Sequence, residues 1–425
     1  MTAAVGLIAL VLACAGAPDA AVQQAPPAAS SPVSSGTVVA IRVHGNHTTP
    51  DREVLRLAGV EPGRPFDAGL PAAVEQRLEA SGRFRSVEVR TRFASLSDPT
   101  AYLLVIVVEE QAGISVDVPD PGPMRRLRAN TMWIPILSRE EGYGFTYGVR
   151  VSFVDVAGPR TRLSVPLTWG GERQAAVELE RRFDRGPLTR IAGRAGVTRR
   201  EHPTLEIGNR RTGVSARAER ALTSWMHVAA TAGLHDVQFG TDDERLGTFG
   251  AEAVVDTRRD PAFPRNAVFA SAAIERLDFR QPPDAVRVSL DGRAYVGLVR
   301  QLVLAVHGLH IRTSEPVPVF EQALLGGTRL RGFGTGYRQD DRLAAASVEI
   351  RAPFSSPLSH TRAGVAVFAD TGTVWSATDR LRGSRWDTGV GAGLFLRGPL
   401  FGLRVDVARG LDYGTRAHVT LGATF

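Results

Sequence analysis

The sequence predicts a transmembrane antiparallel β-barrel of about 16 strands preceded by one small α+β domain of order strand, helix, helix, strand, strand. Three observations carry that expectation. Residues 37–111 switch between alternation of period two and helix-spaced apolar positions. From about Asn130 onward, short alternating segments recur to the last residue, with aromatic and aliphatic side chains on one face and arginine, glycine and serine on the other. An apolar segment opens the chain, yet no run of about 18 apolar residues exists, so membrane-spanning helices are excluded.

The first apolar segment, Ala3 to Ala15, is too short to span and is followed by the small residues "ACAGAPDAA", as in a secretory signal. Residues 1–20 are therefore assigned to a signal peptide cleaved near Ala17 or Ala20, or alternatively to a lipoprotein signal with lipid on Cys14. Cys14 is the one cysteine of the chain, so disulfides and cysteine metal sites are excluded. Residues 21–36, rich in proline, alanine and serine without periodicity, read as a linker.

In residues 37–111, "TVVAIRVHG" alternates as a strand, Asp51–Ala58 and Asp67–Ala80 are helix-spaced, and "RFRSVEVRTRF" and "AYLLVIVVEE" are two further strands. Two helices on one face of a three-stranded sheet would bury Ile41, Val43, Leu55, Leu57, Val74, Leu78, Phe84, Val87, Val105 and Val107. Residues 112–425 are assigned to the barrel. Its clearest strand, "YGFTYGVRVSF", puts Tyr143, Phe145, Tyr147, Val149, Val151 and Phe153 toward lipid and Arg150 toward water. Strand starts fall near 130, 143, 161, 173, 188, 211, 225, 245, 266, 285, 301, 342, 361, 386, 402 and 416. The last segment, "RAHVTLGATF", places Val419, Leu421, Ala423 and Phe425 on one face.

Several function classes drop out on chemistry. The 51 basic residues are all arginine, so a Walker lysine and a Schiff-base lysine are both impossible. The net charge of +7 is dispersed among carboxylates with no basic run, which argues against a nucleic-acid partner. The glycine-rich stretch "LLGGTRLRGFGTGYRQDD", Leu324–Asp341, neither contains lysine nor opens a helix, so it does not read as a phosphate loop. His307 and His310 lie on opposite faces of a strand, and His44 and His47 share that spacing, so no metal pair is expected. No catalytic residue and no cofactor is assigned.

Four stretches carry a family resemblance. "IRVHGN…LAGVEPGRPFD…LEASGRFRSVEV…LLVIVVEE" resembles a polypeptide-transport-associated (POTRA) domain, with Gly45, Asn46, Gly63 and Gly82 at matching places. "VVDTRRDPAFPRNAVF", the "LRGF" of Leu330, Arg331, Gly332 and Phe333, and the "VFADTGTVW" holding Phe368, Asp370 and Gly372 resemble the outer-membrane assembly and secretion superfamily of the BamA, TamA and two-partner-secretion type. The resemblance implies a bacterial outer-membrane location, a periplasmic POTRA domain, and an inward-folded sixth extracellular loop whose Arg331 meets Asp370 on the wall. Glu349, on the strand after the loop, is a second carboxylate for Arg331. Phe425 with Val419 and Leu421 resembles the C-terminal insertion signal of such barrels. The implied function is insertion or translocation of other proteins, with clients bound at the POTRA sheet edge and with outer-membrane lipids and periplasmic or lipoprotein subunits as further partners. A passive channel or a two-partner secretion transporter is the alternative. Assembly factors of the family carry several POTRA domains and secretion transporters carry two, so a single one is a departure.

Overall fold

A computed structural model describes residues 36–95, 97–111, 113, 122–281, 283–354, 361–398 and 401–422. The expected signal peptide with Cys14, nearly all of the linker, and Phe425 lie outside these residues. The chain divides into two compact units, Met1–Arg126 and Leu127–Phe425.

The first unit holds β1 (Gly36–His44), α1 (Asp51–Ala58), β2 (Pro65–Phe66), α2 (Leu70–Ala80), β3 (Phe84–Phe93) and β4 (Ala101–Glu110). Its sheet has the order β2-β1-β4-β3, so a two-residue strand joins the three that were expected. Helix α2 starts at Leu70 rather than at Asp67, whose carboxylate instead accepts the Gly69 N–H at 2.8 Å. The core contains Val38, Val54, Phe66, Val74, Leu78, Phe84, Leu104, Ile106 and Val108. Val105 and Val107, expected in that core, are only partly buried. Strand β4 is apolar on both faces, so alternation could not tell which side meets the helices. Strand β3 pairs only with β4, leaving its other edge free of a strand, although the Val89 N–H donates to Glu75 Oε1 at 2.7 Å.

Glu110 ties the end of β4 to the entry of α1, accepting the N–H groups of Thr48 at 3.0 Å and Thr49 at 2.5 Å. Burial pushes this carboxyl up, but the hydrogen bonds from Thr49 and Thr48 outweigh it and hold it below the usual carboxylate range. Its contribution is present above the ordinary glutamate range and lost as pH falls through the lowered value. Glu110→Ala is therefore expected to cost the small domain about 1 to 3 kcal/mol at neutral pH. The difference from the natural chain should shrink on acidification, as read by thermal unfolding between pH 7 and pH 3.

The second unit begins with the end of a short helix, α3 (Pro123–Ala129), and continues strand by strand. The wall comprises β5 (Thr131–Glu140), β6 (Gly144–Val154), β7 (Thr161–Gly170), β8 (Glu172–Arg182), β9 (Arg190–Glu201) and β10 (Gly208–Ala221). It goes on through β11 (Met226–Phe239), β12 (Asp242–Asp256), β13 (Ala267–Phe279), β14 (Ala285–Gly297) and β15 (Val303–Thr313). After the long loop come β18 (Arg342–Pro353), β19 (Arg362–Trp375), β20 (Asp387–Arg397), β21 (Gly402–Gly410) and β22 (Gly414–Gly422). These sixteen strands form a closed antiparallel barrel, each next to its sequence neighbour. The loop carries its own two-stranded hairpin of β16 (Ala323–Leu325) and β17 (Arg338–Asp340).

Period-two alternation sets the wall. Trp133, Leu137, Phe145, Tyr147, Trp169, Val177, Val214 and Phe249 face outward and are exposed. Arg150 pairs with Glu178 inside at 2.7 Å, and Arg217 with Glu252 at 2.7 Å. Tyr143 departs from the expected lipid face. It sits in the turn before β6, where the alternation has not begun, beneath the Arg200 guanidinium at 4.7 Å in an interior cavity with Glu172 and Arg329. The long loop, residues 314–341, shares its end of the barrel with the β5–β6, β7–β8 and β9–β10 turns, and the longest loops mark the extracellular end.

Candidate functional site: the lumenal loop and the seam

The loop enters the barrel because its apolar residues are buried there. Leu325, Leu330, Phe333 and Ala323 cluster with Leu343 and Val374 of the wall. Phe333 stacks on Tyr413 at 4.9 Å and meets Tyr337 at 4.7 Å. Gly372, expected as part of the wall motif, leaves the room that Leu325 fills, since a Cβ there would stand 2.8 Å from the leucine Cδ1. Gly332 has φ +95°, and a Cβ on it would lie 2.5 Å from the Gly410 nitrogen. A side chain is thus excluded at Gly332 by conformation and by space.

Between these contacts the loop delivers Arg331, which is 7% exposed. Its Nε donates to Asp370 Oδ2 at 2.6 Å and its Nη2 to Asp370 Oδ1 at 2.7 Å, a bidentate fork. The Arg331 backbone N–H donates to the same Oδ2 at 3.0 Å. The Nη1 group donates to Glu349 Oε2 at 2.8 Å, and the guanidinium carbon lies 3.3 Å from the centre of the Phe368 ring. Strands β18 and β19 bring these partners together, because Ser347 lies opposite Asp370 and Glu349 opposite Phe368.

The structure adds residues that the motifs do not name. Arg404 on β21 donates to both Glu349 oxygens, at 2.9 and 2.6 Å, and to Asp406 at 2.6 Å. Arg351 donates to Glu349 at 2.7 Å, and the Ser347 hydroxyl to Asp370 at 2.6 Å. Three guanidiniums and three carboxylates thereby neutralise one another on the wall, which a poorly solvated cluster requires. Gly389 makes the approach possible, for its Cβ would stand 1.9 Å from the Arg331 carbonyl oxygen. The Gly332 N–H donates to His418 Nε2 at 2.8 Å, and the other ring nitrogen of His418 bonds Glu141. The alternation of the last strand sets His418 on the face opposite Val419 and Leu421, and nothing in the sequence marks it as a loop ligand.

A second anchor holds the other arm of the loop. Glu321, with its side chain 6% exposed, pairs with Arg211 of β10 and Arg287 of β14, each at 2.6 Å. Here the loop supplies the anion and the wall the cations, the inverse of the Arg331 cluster. Glu321→Ala leaves two guanidiniums facing each other inside the barrel. It should lower the unfolding free energy by about 3 kcal/mol, read from urea titration of the folded barrel, while Arg331 keeps its partners.

Val419 and Leu421 are not brought to this cluster. They lie at the junction of β22 with β5, where Leu421 opposite Arg139 is the one backbone pair among the described residues. Arg139 also reaches across with Nη1 to the Val419 carbonyl at 2.9 Å. By contrast, β5 pairs with β6 continuously from Thr131–Phe153 to Glu140–Gly144. The Leu421–Arg139 register carries Gly414–Val419 past the end of β5 at Glu140. Among the described residues this seam closes the ring with one backbone pair, whereas lipid normally demands that every strand edge be paired.

Residues 146–425 match the Omp85 superfamily domain. The chain belongs to the Omp85 superfamily. Residues 37–111 of this Omp85 protein match the POTRA family described as surface antigen variable number repeat. The fold is similar to that of BamA from Haemophilus ducreyi lacking POTRA domains 1–3, with a TM-score of 0.62 and 14% identity over 91% of this chain and 84% of that one. It is also similar to CdiB from Acinetobacter baumannii (TM-score 0.50, 12% identity, 92% and 74% covered) and to CdiB from Escherichia coli (TM-score 0.51, 11% identity, 96% and 92% covered). No curated protein sequence matches significantly. The Omp85 barrel places the protein in the outer membrane with its POTRA domain in the periplasm.

Proposed function

We propose that this Omp85 protein inserts or translocates other proteins, taking a client strand at the open edge of β3 and passing it to the seam between β22 and β5. The observation that carries this reading is the seam itself, an antiparallel junction with a single backbone pair among the described residues. A strand edge left open in this way can accept a client strand through main-chain hydrogen bonds. In the small domain, β3 offers the same chemistry, with Glu88, Arg90 and Arg92 exposed along it. Periplasmic or lipoprotein subunits would use the same edge. The loop, held by Arg331 on one arc of the wall and Glu321 on another, crosses the interior between cavities of about 940 and 720 Å³ and argues against a steady wide channel.

Photo-crosslinking from Arg90 and Arg92 positions, followed by mass spectrometry, should capture unfolded outer-membrane or secreted chains. Deleting residues 37–111 should deplete those same chains from the outer membrane or the medium. An unchanged outer-membrane proteome and secretome after the deletion would overturn the proposal. A large, constant conductance in planar bilayers would favour the passive channel.

A further inference from the structure

On the outward face near the extracellular end, three arginines stand side by side on neighbouring strands. Arg173 on β8 lies opposite Arg199 on β9, and Arg199 lies opposite Arg210 on β10. All three side chains are exposed. Directly opposed residues of adjacent strands are about 4.5 to 5.5 Å apart, and like charges so placed destabilise a sheet.

The interior of the same strands shows how this chain ordinarily treats arginine. Arg190 pairs with Glu180 at 2.7 Å, Arg194 with Glu178 at 3.7 Å, Arg211 with Glu321 at 2.6 Å and Arg217 with Glu252 at 2.7 Å. Among the described residues, Arg173, Arg199 and Arg210 have no carboxylate within ion-pair distance. On the same rim Glu201, opposite Gly208, makes no ion pair with the row among the described residues, and Asp236 pairs with Arg245 at 3.7 Å. The row is therefore a concentration of guanidinium that the protein does not neutralise by itself.

Its depth is fixed by the neighbouring side chains. Tyr147 lies opposite Trp169 on β6 and β7, and both point outward with about half of their surface exposed. Trp169 and Arg173 lie on either side of the tight β7–β8 turn. Outward aromatics at strand ends mark the interfacial girdle of a barrel, so the arginines beside them stand in the headgroup layer of the outer leaflet. A cavity of about 350 Å³ opens at this rim, lined by Arg173, Arg199, Arg200 and the single carboxylate Glu201 together with Gly170 and Gly171. A Cβ on either glycine would stand 2.1 Å from a backbone carbonyl oxygen, so the wall of the cavity is bare backbone.

We propose that Arg173, Arg199 and Arg210 form a binding site for the phosphorylated sugar headgroup of an outer-leaflet glycolipid. A phosphomonoester offers several strong acceptor oxygens and about two negative charges, and planar guanidiniums suit it by forked hydrogen bonding. A headgroup with two phosphates spans the row where a single anion would reach one or two of its members. The bound lipid relieves the repulsion within β8–β10 and fixes the barrel's depth on the side away from the pairing across β18 and β19.

The test uses the full chain in nanodiscs or detergent and native mass spectrometry with defined probes: bisphosphorylated lipid A, the same lipid after dephosphorylation, phosphatidylglycerol, and inorganic phosphate. Bisphosphorylated lipid A should stay bound and raise the melting temperature. The triple variant Arg173→Gln, Arg199→Gln, Arg210→Gln should bind it at least about 10-fold more weakly. Heat-modifiable migration in gels checks that the variant folds. The binding of the natural protein should also weaken as salt rises, which requires no variant. Equal retention of dephosphorylated lipid A or phosphatidylglycerol would overturn the site, since a generic apolar or anionic surface would then explain the binding. Protection by millimolar inorganic phosphate equal to that by lipid A, or an unchanged affinity in the triple variant, would overturn it as well.

Discussion

Replacing Arg331 with alanine is expected to destabilise the barrel by about 3 to 5 kcal/mol, less whatever water entering the lumen restores. The cost falls mainly on Asp370. Glu349 keeps Arg404 and Arg351, whereas Asp370, 2% exposed, keeps only the Ser347 hydroxyl among side-chain donors that the structure gives it. Asp370→Ala should cost a similar amount, because it removes the forked partner and leaves Arg331 with Glu349 at 2.8 Å and the more distant Asp406 at 3.7 Å. The double variant should be no worse than either single one, giving a coupling of about 2 kcal/mol or more. Arg331→Lys should fail to rescue, since an ammonium can neither fork onto Asp370 nor lie flat on Phe368. Urea-induced unfolding of the folded barrel in vesicles measures each term, and additive losses would show that the pairing does not hold the loop.

Much of this arrangement was readable before any coordinates. The sixteen expected strand starts fall within three residues of those observed, from Thr131 and Gly144 to Gly402 and Gly414. Outward aromatics and inward charges give each strand a strong two-sided signal, and glycine or proline marks most turns. The meeting of Arg331 with Asp370 came from the motif resemblance, and no periodicity could have supplied it. Arg404, Asp406 and Ser347 escaped notice because each is one of many inward polar residues, and only ring closure and register decide which of them face the loop. Glu321 carried no signal at all. It lies in a single 3-10 turn of the loop, Val319–Glu321, and its partners are contributed by β10 and β14 from far away in the chain. On β4, hydrophobicity on both faces hid the parity that buries Leu104, Ile106 and Val108.

The seam is where the proposed activity stands or falls. Opposed positions in an antiparallel pair lie within disulfide reach, so Arg139→Cys with Leu421→Cys can join β5 to β22 covalently at their one described backbone pair. The only natural cysteine is Cys14, so each single-cysteine variant is a direct control. The oxidised double variant should fold and migrate as a barrel, since the bond reinforces an existing register. Its delivery of the outer-membrane and secreted proteins that depend on this chain should nonetheless fall at least about 10-fold, because a closed seam presents no edge to a client strand. Reductant should restore delivery. That delivery, compared with and without reductant in the Arg139→Cys, Leu421→Cys protein, is the most direct measurement: loss on oxidation and recovery on reduction are predicted, and full delivery through a locked seam would contradict the account.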